Sequence, residues 1–115
     1  MRYLLLIYEN EGVWRALPAD ERRRQIAGYD DVRRRAEAAG HLVAADGLAS
    51  VRAAKTIRRR NGRVTTTDGP FADTKEHLGG FYLVECDEAE ALAYAADIPA
   101  AVSGSVEVRP VGVPH

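Results

Sequence analysis

The chain has 115 residues, 46% of them hydrophobic and 29% charged, which is the size and balance of one ordinary domain able to bury a core. Sixteen basic residues stand against seventeen acidic ones, a formal charge of -1, so no global field draws nucleic acid or an anionic membrane; either would need a local patch. The single cysteine, Cys86, excludes an internal disulfide, and the apolar run over residues 3–8 is too short for a signal-peptide core or a membrane span, so a cytoplasmic location is expected.

Residues 2–8 read as a strand buried on both faces near the middle of a sheet. A loop over 9–17 follows. Pro18 suits the first turn of a helix, and Asp20 and Glu21 suit its positive end. Ile26, Tyr29, Val32, Ala36 and Ala39 then recur at spacings of three or four, with most of the arginines on the other side, which predicts an amphipathic helix ended by Gly40. Gly28 inside it should cost roughly 1 kcal/mol relative to Ala. Residues 41–50 are predicted as a strand with a bulge at Gly47. Asn61-Gly62 is a strong type I′ turn signal joining 55–60 to 63–67 and pairing Arg60 with Arg63.

The stretch 68–81, Asp-Gly-Pro-Phe-Ala-Asp-Thr-Lys-Glu-His-Leu-Gly-Gly-Phe, is the densest in backbone constraints and titratable groups. Gly69 and Pro70 are turn residues. Asp73 reads as a helix N-cap with Glu76 completing a capping box, so a short helical turn is expected, ended by Gly79-Gly80 before a strand over 81–86. Cys86 then falls in an apolar strand, a setting for a small buried side chain and not for a nucleophile. Asp87 or its neighbour is the expected cap of a helix over 88–97 that Pro99 stops. In the last strand, 105–111, Val106 and Val108 face one way and Glu107 and Arg109 the other, with Pro110 at a strand end or sheet edge.

These elements reduce to a single domain over 1–115, an α+β fold of ferredoxin-like plan: a βαββαβ antiparallel sheet with an inserted β-hairpin. Both helices would cover one sheet face. The opposite face, with Glu107 and Arg109, is left for a partner, and a second copy of the chain is the expected one.

The run Asp68-Gly69-Pro70-Phe71-Ala72-Asp73-Thr74-Lys75-Glu76, followed by Leu78-Gly79-Gly80-Phe81, resembles the signature of the DGPF proteins of the YCII-related family. The likeness extends to the opening residues 3–8 with Trp14, and to the closing blocks 98–101 and 104–111, so it covers nearly the whole chain. Asp73 stands where Glu is commoner in that family, and His77 where Gln is common. The resemblance implies a dimeric α/β-barrel in which two ferredoxin-like sheets pack face to face. Relatives by fold include muconolactone isomerases and small cofactor-free monooxygenases, and the YCII branch has been linked to enzymatic use of a His and Asp pair. It therefore implies a cofactor-free enzyme of isomerase or lyase type acting on a small polar organic substrate. The alternative it implies is a non-catalytic ligand-binding or accessory protein associated with an extracytoplasmic-function sigma factor.

Asp68, Asp73, Glu76 and His77 are the candidate acid/base set, since carboxylates and an imidazole can pass a proton when a pocket tunes them. Capping of their own helical turn is the competing role for Asp73 and Glu76. Arg109, Glu107 and Tyr82 are the candidate ligand-binding residues, in one cleft shared by two subunits and walled by Trp14 with Tyr3 or Tyr82: the Arg109 fork matches a planar oxyanion. A closed Glu107–Arg109 ion pair is the alternative. No metal site is expected, because His41, His77 and His115 lack paired ligand spacing, and no cofactor is expected, because Gly69, Gly79 and Gly80 lack the spacing of a phosphate loop. The basic hairpin, with Arg58, Arg59, Arg60 and Arg63, reads as a solvated arm; without interleaved aromatics nucleic acid is not expected there.

Overall fold

A computed structural model describes residues 1–112, and the first apolar run forms its central strand, β1 (Arg2–Glu9). Antiparallel neighbours flank it on both sides, β5 (His77–Glu85) and β6 (Ser105–Val111), and β2 (Leu42–Gly47) lies beyond β5. The order β2-β5-β1-β6, with helices α2 (Ala19–Ala38) and α3 (Glu88–Asp97) in the two crossovers, is a ferredoxin-like α+β arrangement. Short helices α1 (Glu11–Ala16) and α4 (Ala100–Ser103) fill connections.

Alternation along the strands decides which face becomes the core. Tyr3, Leu5 and Ile7 of β1 and Tyr82 and Val84 of β5 are buried against Val32 and Ala36 of α2 and Ala91, Tyr94 and Ala95 of α3. Each fully buried aliphatic side chain contributes about 1.5–3 kcal/mol. The other face carries Leu4, Leu6, Tyr8 and Leu83, which are only half-buried, beside exposed Glu107 and Arg109. β1 is thus buried on one face, not two, because the core elements of the chain gather on a single side of the sheet. Gly28 has a packing reason: a Cβ there would lie 2.8 Å from Cγ of Pro99.

The hairpin forms as predicted from β3 (Lys55–Arg60) and β4 (Arg63–Asp68), with Arg60 opposite Arg63 and positive φ at Asn61 (52°) and Gly62 (73°). Four expectations are corrected. A helix occupies part of the predicted loop 9–17, because Asn10 caps α1 by accepting the N–H of Val13 at 3.1 Å. Pro18 is the N-cap of α2 and not a residue within its first turn. The irregularity in β2 lies between Leu42 and Ala44, while Gly47 pairs with Gly80 in register. No helical turn forms after Asp73: residues 69–76 are irregular and β5 starts at His77, with Gly79 and Gly80 inside the strand. Two glycines are poor helix formers, and the chain behind the capping pattern pairs with β1 instead, His77 with Glu9 and Leu78 with Tyr8. None of the helices among the described residues is long and apolar enough to cross a membrane.

Candidate functional site

Ile7, Gly80 and Gly47 form one row across β1, β5 and β2. Two of the three carry no side chain, and at Gly80 a Cβ would crowd the carbonyl oxygen of Asp46 at 3.0 Å. The helix-facing surface is therefore bare at this end of the sheet, next to the register shift between Ile7 and Tyr8. Above it lies a cavity of about 500 Å3, lined among others by Trp14 of α1, Ile26 and Tyr29 of α2, Leu48, and Tyr82 of β5. Its size suits a small organic molecule.

Polar groups gather at the same end. Glu9 and His77 are cross-strand partners and both line the cavity. The Tyr29 hydroxyl donates to the Glu9 carboxylate, and the Tyr82 hydroxyl donates to the Tyr29 carbonyl oxygen at 2.7 Å. Burial holds both phenols in their protonated form: it pushes Tyr82 up to about 12, with the nearby Asp30 adding to the effect, and raises Tyr29 further with the help of Glu9. His77 Nδ1 is buried with no hydrogen-bond partner among the described residues. Glu11, at the start of α1, accepts the Val51 N–H and the Ser50 hydroxyl, each at 2.8 Å. The Val51 N–H is the main reason its carboxyl lies below the usual range; Ser50, Arg15 and His77 pull the same way against its partial burial.

The sequence matches the YCII-related domain over residues 1–113. The chain belongs to the YCII-related family. It is also 40% identical over 116 residues to an uncharacterized protein of Rhizobium meliloti (strain 1021), an alignment covering 98% of this chain and 94% of that one.

Of the residues singled out in the sequence, this YCII-related domain brings His77 and Tyr82 to the cavity, together with Trp14. Tyr3 is part of the core. Asp68 pairs with Lys55 at the base of the hairpin, outside the cavity lining, and Asp73 is exposed. Glu76 accepts a hydrogen bond from Ser105 at 2.7 Å and likewise does not line the cavity. Glu107 and Arg109 form an ion pair of 2.8 Å on the opposite face of the sheet, where both are exposed. Within one chain, then, the fold does not bring the seven residues into one cleft.

Glu9, Glu11 and Tyr29 escaped the sequence reading as functional groups. The signal was present in Glu9-Asn10-Glu11: two carboxylates around a capping residue at the end of a core strand, which fixes both at a helix start. His41 is structural, its ring joined to the Tyr94 hydroxyl at 2.8 Å and to Glu90 at 3.3 Å. The Cys86 thiol is pushed up by burial first and by Glu90 and Asp87 second, against a nucleophilic role. No three acidic, His or Cys side chains among the described residues group to hold a metal ion; His115 lies outside those residues.

Proposed function

We propose that this YCII-related protein is a cofactor-free enzyme of isomerase or lyase type that moves a proton on a small organic substrate held in the helix-side cavity. His77 is the acid/base group, Glu9 is the carboxylate beside it, and Tyr29 fixes Glu9 by donating to it. The observation that carries this reading is the buried, unpartnered Nδ1 of His77 at a cavity wall. A buried ring nitrogen without a partner is costly and uncommon, and a substrate that draws the ring round toward the cavity supplies the missing hydrogen bond. Tyr82, protonated and tied to the Tyr29 carbonyl, holds the wall in place.

Proton transfer to and from carbon is read most directly by washing solvent deuterium into a panel of small aldehydes, ketones and lactones, followed by proton NMR. The wild-type protein is expected to exchange at least one of them, and His77→Gln to slow that exchange by about a hundredfold or more with its circular dichroism unchanged. Equal rates for the two proteins would overturn the assignment. The same cavity also suits binding without turnover, the role of a ligand-sensing accessory to a sigma factor. Saturable binding with no exchange on any compound would favour that role.

We also propose that the working form is a homodimer joined through the open sheet face. The support is its half-buried stripe, Leu4, Leu6, Tyr8 and Leu83, with the Glu107–Arg109 pair beside it.

A further inference from the structure

The charges around the cavity are unequal. Glu9, Glu11, Asp30 and Asp46 contribute carboxylates, against the guanidinium groups of Arg15 and Arg33 and the imidazole of His77. Glu11 and Arg15 largely cancel, being 3.8 Å apart. Glu9 is not offset by a cation, because its hydrogen-bond partner is the neutral Tyr29 hydroxyl. Asp30 and Asp46 have no ion-pair partner among the described residues; Arg33 has none either and offsets one of them. An excess of negative charge remains whether or not His77 is protonated. The recess is open to solvent on one side and Asp30 and Asp46 are exposed, so this excess acts on an entering ligand most strongly at low salt. The rest of the lining is flat and apolar: bare backbone at Gly47, Gly79 and Gly80 below, with Trp14, Ile26 and Tyr29 around it.

We propose that the cavity selects organic cations, amines joined to a flat unsaturated or aromatic group, and rejects the matching carboxylates. This rests on the reading of the cavity as a ligand site and adds the class of ligand. The ammonium group lies toward Asp30, Asp46 and Glu9, and the flat group lies over the glycine floor beside Trp14, whose indole face also attracts a cation. An anion of the same shape meets three carboxylates, with Arg33 and, when protonated, His77 in its favour.

Trp14 is the single tryptophan and lines the cavity, so its fluorescence reports occupancy without any label. The probes are 2-phenylethylamine and 3-phenylpropionate, which share a ring and a short chain but differ in charge, titrated into the full chain at neutral pH and low salt. The expected result is that the amine quenches or shifts Trp14 emission with a Kd at least about tenfold below that of the carboxylate. Added salt narrows the gap. The double variant Asp30→Asn, Asp46→Asn, two exposed surface positions, is expected to abolish most of the preference. Equal or tighter binding of phenylpropionate overturns the charge selectivity and leaves the cavity reading standing. A preference that survives the double variant overturns the roles of Asp30 and Asp46. If neither probe perturbs Trp14 up to millimolar concentration, this proposal falls and the cavity reading falls with it.

Discussion

Glu11 binds two parts of the chain that are distant in sequence: it starts α1 and accepts from Ser50 and Val51 beyond β2. Because its folded carboxyl lies below the ordinary value, the ionised form is bound more tightly in the folded protein than in the unfolded chain. The resulting stability is fully present above the ordinary glutamate range and is lost as pH falls through the lowered value. Glu11→Gln should therefore lower Tm at neutral pH and flatten the fall in Tm between about pH 5 and 3, a comparison that calorimetric scans at several pH values will make. At the same scale, His77 was legible as a candidate but its partner was not. Glu9 stands opposite it through strand register, and register depends on where a bulge falls, which no local pattern around Gly79-Gly80 announces.

Caps show why some elements were readable and one was not. Asp87 caps α3, one of the two residues the sequence offered, and with Glu90 it forms a complete capping box, accepting the Glu90 N–H at 2.8 Å. Asp73 and Glu76 have the same spacing, yet they precede His77-Leu78-Gly79-Gly80, which a β-ladder takes up with β1. A capping pattern thus needs a helix-forming sequence behind it. The two sites predict opposite results for the same substitution: Asp87→Ala should cost about 0.5–2 kcal/mol in urea unfolding, and Asp73→Ala should fall within about 0.5 kcal/mol of wild type. The hairpin was readable to the residue at its turn, since Asn-Gly fixes both positive φ values locally. The cavity was not readable, because it arises where two strands, β2 and β5, place no side chains side by side, and an absence in space has no local sequence signature.

The molecule as a whole is a slab. Its Cα extents of 47 × 41 × 17 Å are those of one sheet with a single helix layer, and its radius of gyration of 15.9 Å exceeds the roughly 13 Å expected of a compact domain this long. Both follow from an open sheet face and a projecting hairpin whose Ile57 and Val64 are more than half exposed. Sedimentation velocity at micromolar concentration should accordingly show twice the chain mass, and Leu6→Lys, on the open face, should return it to the monomer. A wild-type monomer would remove the dimer from the account without touching the cavity.

Ligands are expected to enter the helix-side cavity, and not the loop at 69–76 or the open face. Two-dimensional proton–nitrogen NMR of the labelled protein, titrated with a mixed set of small amines and carbonyl compounds, tests it most directly. The account predicts the largest shifts at the amides of Glu9, Tyr29, Gly79 and Gly80 and at the Trp14 indole N–H. Shifts centred on Asp73, Glu76, Glu107 and Arg109, with those five signals unmoved, would contradict it.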